Sequence, residues 1–137
     1  LVQAEETITG VIMTNQIHTI RTAKDNHLSD VIREFKTYTS KSFIIIIKES
    51  PESRKEWLLP MFQFYGRHTN ANMNYKRWTS NNHPEEIYSQ DFFYQKLHNI
   101  HENPVRDGIV YDEFDCVYSS ATNYANRKSI FDTDFLW

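Results

Sequence analysis

The spacing of apolar positions changes along this chain, and each change marks an element. In residues 7–20, Ile8, Val11, Ile12, Met13, Ile17 and Ile20 are interleaved with polar residues, which predicts one strand. Asp25-Asn26 is turn chemistry. From Leu28 the period lengthens. Leu28, Val31, Ile32, Phe35, Thr39, Ser42, Phe43 and Ile46 fall at three- and four-residue steps, as on one face of a helix. The Ile44–Ile47 run has high β-propensity and weakens the helix there, and Pro51 ends the segment or opens the next. Residues 52–66 predict a second helix, with Pro60 an obstacle to its continuity. Residues 67–76 are polar and Asn-rich, a loop. Tyr75-Lys76-Arg77-Trp78 is a short strand candidate, and Asn81 to Glu85 a turn. Asp91, Phe92, Phe93, Leu97 and Ile100 describe a further helix, with Ser89 as its cap and Pro104 ending it near Asn103.

At 137 residues this pattern fits one domain, with a core over about 7–110 and a tail from 111 to 137. The net charge of -3 argues against a protein that grips duplex DNA non-specifically, since that affinity comes from neutralising phosphates. A local basic groove is still compatible with it. Aromatic residues make up 15% of the chain, enough both to build a core and to offer rings for stacking on unpaired bases. The single Cys116 cannot form an internal disulfide, so a buried, inert thiol in a reducing cytoplasm is expected. The longest apolar run, Phe43 to Ile47, is far short of a membrane span, and no secretory leader opens the chain.

Three segments carry candidate chemistry. The first is Val11-Ile12-Met13-Thr14-Asn15-Gln16-Ile17-His18-Thr19-Ile20. The second is Ile100-His101-Glu102-Asn103-Pro104-Val105-Arg106-Asp107-Gly108-Ile109-Val110. The third is Tyr118-Ser119-Ser120-Ala121-Thr122-Asn123-Tyr124. In wording and order they resemble the REP-associated tyrosine transposases of the single-tyrosine HUH superfamily, which cut and join single-stranded DNA. The resemblance covers roughly residues 9–50 and 75–125, with a looser middle. It implies an α+β fold, ferredoxin-like, with an antiparallel sheet backed by helices. In the family a first strand and helix precede the metal strand. This chain lacks that stretch and begins without Met, so an upstream part is expected to be missing and the sheet to carry an unpaired edge.

Such chemistry needs a Tyr hydroxyl to attack phosphorus and a divalent metal to balance the charge that develops. Two His one residue apart on a strand share a face and can ligate one ion, and a polar residue four positions past the Tyr on a helix can complete the set. The resemblance assigns the metal, Mg²⁺ or Mn²⁺ if the protein is active, to Gln16, His18 and Asn103. Gln16 stands where the family has its first His. Asn99 stands in the slot of the family tyrosine, and an amide cannot form a phosphotyrosyl link. Tyr94 is the nearest substitute, but five helical residues turn about 500°, which leaves it about 140° from the direction of Asn99. His98 and His101, one turn apart, are either solvated or capping histidines or additional ligands beside His18.

The candidate DNA contacts are Arg33, Lys36 and Lys41 opposite the first helix's apolar stripe, then Lys76, Arg77 and Trp78, and then Arg106 beyond the last helix. Arg33, Lys36 and Lys41 also read as an ordinary solvated face. Arg106 would hold phosphate or cap a helix C-terminus. Asp107 departs from the small residue usual in the family. The Tyr118–Ala121 segment is expected to pack the tail onto the domain through Ser and Tyr hydrogen bonds. The expected function is binding of single-stranded or hairpin DNA by a transposase-like protein with impaired catalysis, in the cytoplasm and on the nucleoid when bound, as a monomer or homodimer. The alternatives are a domesticated, non-catalytic hairpin-binding module and a non-functional remnant.

Overall fold

A computed structural model describes residues 7–21, 27–69, 74–80, 82–130 and 133. The turn expected at Asp25-Asn26 lies outside the described residues. The fold is α+β, as expected, with an antiparallel sheet backed by a helix. In chain order the elements are β1 (Thr7–Ile12), β2 (Ile17–Arg21), α1 (Leu28–Glu49), α2 (Lys55–Thr69), α3 (Gln90–Arg106), a 3₁₀ turn (Glu113–Asp115) and α4 (Ala121–Tyr124). They fall into two compact units. One lies within Leu1–Leu28 and Glu85–Trp137, the other within Ser29–Pro84.

The first unit begins with a correction. Residues 7–20 are not one strand but a hairpin, in which β1 pairs with β2 from Ile12↔Ile17 to Thr7↔Arg21. The chain reverses at Thr14-Asn15, where Met13 N donates to Gln16 O at 2.9 Å. Thr and Asn suit a turn because their short polar side chains compete with ladder pairing. The other edge of β1 is covered as well. Ile12 N donates to Tyr118 O at 2.8 Å, Ser120 N donates to Gly10 O at 2.9 Å, and Val11 bridges Ser119. The β1 edge at Gly10–Ile12 is therefore paired by the 118–120 segment, which removes the hazard of an open template on that side of the sheet.

α3 lies against this sheet and buries Phe93, Leu97, Ile100, His101 and Pro104. With Val11, Met13, Ile20 and Cys116 the apolar members of that face form one core cluster. A residue such as Phe93, 2% exposed, contributes about 1.5–3 kcal/mol by leaving water. Ser89 caps α3 as expected, its Oγ accepting from Phe92 N at 3.2 Å. Pro104 does not end the helix. The helix forgoes the one bond that the missing amide hydrogen would make to Ile100 O and runs on to Arg106. The stop comes at Gly108, with φ of 70°. Gly108 N donates to Val105 O and Ile109 N to Pro104 O, the paired bonds of a Schellman motif, which a residue tolerant of left-handed backbone makes possible.

The second unit is helical. α1 continues through Ile44–Ile47, against their β-propensity, and stops at Ser50 before Pro51. α2 runs unbroken through Pro60. Tyr75–Trp78 is not a strand. It is an irregular segment tied to α2 by Lys76 N donating to Phe62 O, and to α1 by the Trp78 indole donating to Thr39 Oγ1. His83, at φ 47°, turns the chain within the expected 81–85 turn, of which Asn81 lies outside the described residues.

Candidate functional site

The three segments singled out above converge in the first unit. β1 and β2 carry the first, the C-terminal half of α3 the second, and the β1-flanking segment with α4 the third. His18 lies on β2, opposite Val11, and is half-buried. Burial pulls its pKa below the ordinary imidazole value, and the nearby Asp107 carboxylate at the end of α3 acts against that. Gln16 is exposed and sits in the hairpin loop, just ahead of β2.

Asn99 and Asn103 lie one turn apart on α3, both partly exposed. Asn99 Oδ1 accepts a hydrogen bond from Arg106 Nη2 at 3.2 Å. Arg106 is the last residue of α3, and its guanidinium also bonds to the Glu102 carboxylate. Glu102 Oε1 takes in addition the His98 ring, at 3.0 Å. Residues 98, 102 and 106 thus link their side chains at four-residue spacing, the geometry expected of neighbours on one helix face.

Tyr94 belongs to a different face. It stands seven residues before His101, about two helical turns, so the two point the same way. His101 faces Thr9, Ser120 and Tyr124, and Tyr94 is an electrostatic neighbour of Tyr124. Its ring packs edge-on against Phe93 at 5.5 Å. The direction of Asn99 and Arg106 is therefore not shared by Tyr94.

The donor set Gln16, His18 and Asn103 consists of two amides and an imidazole. Hard divalent cations favour carboxylate oxygens, and none is included. Among the described residues no three His, Cys, Asp or Glu side chains form a metal-holding group. Two amide oxygens and one imidazole would hold Mg²⁺ or Mn²⁺ weakly, and an imidazole in place of Gln16 would strengthen the set.

The other candidate cations lie in the second unit. Arg33 pairs with Asp30 at 2.7 Å. Lys36 donates to Thr79 O at 3.0 Å and to Asn82. Lys41 is exposed on α1. Lys76 donates to Thr69 and Ser80, each at 3.1 Å. Arg77 lies over the Phe43 ring at 4.0 Å and the Trp78 ring at 4.9 Å, and burial lowers its pKa. Trp78 packs on Phe35 at 5.9 Å. Arg77 and Trp78 therefore fasten the 74–80 segment to α1, through cation–π and ring contacts that take up ring surface.

Sequence reasoning missed a buried polar cluster. Thr9, His101, Ser119 and Ser120 are each at most 5% exposed. Ser120 Oγ accepts from Gly10 N at 3.0 Å, bonds to Thr9 Oγ1, and lies 2.9 Å from His101 Nε2. Burial brings the His101 pKa down to about 4, with His98 adding to the effect. The signal was present in the sequence. His101 sits four residues after Leu97 and eight after Phe93, on the apolar stripe of its helix. Cys116 is in the core, as expected, and burial pushes its thiol pKa up. Among the described residues no helix is long and apolar enough to cross a membrane. Comparison with protein-family models, curated proteins and solved structures finds no match to this chain.

Proposed function

We propose that this chain is a relative of the REP-associated tyrosine transposases that binds single-stranded or hairpin DNA without tyrosine chemistry. One observation carries the reading. The three segments that bear the resemblance, far apart in sequence, pack on one another through β1, α3 and the 118–124 segment.

The loss of chemistry rests on residue 99. Its side chain is an amide engaged with Arg106, and an amide cannot attack phosphorus to leave a covalent link. Tyr94, five residues earlier, stands about 140° around α3 from the direction of Asn99. No metal is invoked, because binding needs none. Affinity would come from cations on phosphates, with Lys41 and Arg33 on the outer side of α1 and Arg106 at the end of α3 as the accessible candidates. Arg77 and Trp78 act in this reading by shaping the segment between α2 and the loop, more than as stacking surfaces.

The test is fluorescence anisotropy of a labelled DNA hairpin and of oligo-dT at increasing salt, with a nicking assay in Mg²⁺ or Mn²⁺ alongside. Expected are preference for the hairpin, weakening with salt, and no protein–DNA adduct. Lys41→Ala should lower the salt slope by about one. Equal affinity for both DNAs, or none for either, overturns the binding reading. A covalent adduct overturns the claim of lost chemistry.

A further inference from the structure

We propose that the outer face of α2 is a dimer seam, on which a second copy of this chain packs its own α2 antiparallel. The inference concerns the second unit alone and is independent of the DNA reading. It stands on an apolar stripe that the unit leaves bare and on the charges at the two ends of that stripe.

α2 turns one face toward the 74–80 segment. Phe62 O accepts from Lys76 N at 2.9 Å, Thr69 Oγ1 accepts from Lys76 Nζ at 3.1 Å, and Gly66 between them is buried. At about 100° per residue, Trp57 and Phe64 lie roughly opposite that face. They are 54% and 56% exposed. Seven residues apart, they stand along one line of the helix, and His68 extends it. The His68 ring lies 3.9 Å from the Phe64 ring, and its Nδ1 donates to Phe64 O at 2.7 Å. Tyr65, also exposed, borders the line. A helix with apolar residues on both faces belongs where both are covered. Among the described residues of α1 and α2, only Ile44 and Gly66 are buried, so this unit has little core of its own to offset the exposure.

The ends of the stripe point to a second copy as its cover. Glu56 stands in the first turn of α2 and Arg67 in the last. Eleven residues are about three turns, so the two lie on the same flank of the stripe. Lys55 is turned away, donating to Lys48 O. Among the described residues neither Glu56 nor Arg67 makes an ion pair. A two-fold axis across the stripe sets one flank beside the same flank of the second copy, with the direction reversed. Glu56 of each copy then meets Arg67 of the other, and Trp57 of each lies within about a turn of the other's Phe64. Parallel pairing would instead set each charged turn level with its like. Three half-exposed rings, with Pro60 and Met61 between them, offer about 400–500 Å², a patch size that is often functional. That is below the roughly 800 Å² per partner of a standard stable interface, so the dimer is reversible, with micromolar affinity.

The experiment is sedimentation velocity of the full chain at low salt across the micromolar range. A reversible monomer–dimer equilibrium is expected. Trp57→Glu and Phe64→Glu, which put charge into the seam, should each weaken it by about tenfold or more, with the helical circular dichroism of the wild type retained. Glu56→Arg and Arg67→Glu should each weaken it several-fold, and the two together should restore it, because each contact joins opposite ends of two copies. A monomer throughout the range overturns the proposal. So does a dimer that tolerates both Trp57→Glu and Phe64→Glu, and so does a double swap no better than either single one. If the seam variants lose helix, the charge swaps, which lie beside the stripe, decide alone.

Discussion

Asn99 Oδ1 accepts a hydrogen bond from Arg106 Nη2 across two turns of α3, at 3.2 Å. The residue in the slot of the implied nucleophile is thus engaged with the residue implied to hold phosphate. Asn99→Tyr alone is expected to give no covalent DNA product, because in the proposed reading Gln16 stands where the family has its first metal-ligating imidazole. Gln16→His combined with Asn99→Tyr is expected to yield a protein–DNA adduct in Mg²⁺ or Mn²⁺, read as a shifted band of labelled hairpin on a denaturing gel. An adduct from the wild type or from the single variant would contradict the roles given to these two positions.

Gly10 sits on β1 opposite Thr19 of β2. A Cβ there would stand 2.9 Å from His18 O and 2.9 Å from Thr19 Cγ2. The first of these is backbone and cannot turn aside. Gly10→Ala is expected to destabilise the first unit by about 1–3 kcal/mol, the range for overpacking. Urea unfolding followed by circular dichroism measures it, and an unchanged midpoint would mean the hairpin relaxes without cost.

Gly108 presents the opposite case. Nothing lies within 4 Å of a Cβ built there, but its φ is 70°. The cost of Gly108→Ala is then conformational alone, about 1–2 kcal/mol for an L-residue in left-handed backbone. Gly108→Asn should cost less, since Asn tolerates that region better. Equal midpoints for the two variants would show that the side-chain type does not matter at this cap.

The sequence disclosed helices better than ends and turns. Phe93, Leu97 and Ile100 announced the buried face of α3, and Ser89 its start, because helical period and capping are local properties. Pro104 misled, since a proline inside a helix costs a bond without always ending it, and Gly108, a local C-cap signal, marks the stop instead. The 7–20 stretch kept one alternating pattern across a four-residue reversal, so period alone could not reveal the hairpin. Trp78 and Arg77 read as a place for base stacking beside a phosphate contact, and local pattern did not show that they also pack on Phe35, Thr39 and Phe43, which lie 34–43 residues away in sequence. Contacts at that separation are set by tertiary packing. The Thr9–His101–Ser120 cluster was hidden for the same reason.

Ser120→Ala removes the shared atom of that cluster. The Gly10 amide and His101 Nε2 would lose a buried partner, and so would Thr9. Unsatisfied buried groups cost about 1–3 kcal/mol each, and Thr9 can turn toward His101 to recover part of this. A net loss of about 2–3 kcal/mol is expected in denaturant unfolding. A loss below about 0.5 kcal/mol, the usual range for a surface substitution, would show that the cluster holds little of the fold.

His101 also sets a pH dependence of overall stability. Its pKa is about 4 when folded, against 6.5 for an ordinary imidazole, because the ring is buried and His98 stands nearby. In the window between these values the unfolded chain binds the proton and the folded chain does not, so stability rises with pH. The contribution is complete above about 6.5. It declines as pH falls and is exhausted below about 4, for a total of about 3 kcal/mol at most, on the order of 1.4 kcal/mol per pH unit across that window. Denaturant midpoints measured from pH 7 to pH 4 should therefore fall in the wild type and fall less in His101→Gln. The difference between the two proteins isolates the imidazole from carboxylates that titrate in the same range. If the two curves run parallel, the ring is either solvated or already protonated in the folded state, and its burial contributes nothing to the acid sensitivity of the protein.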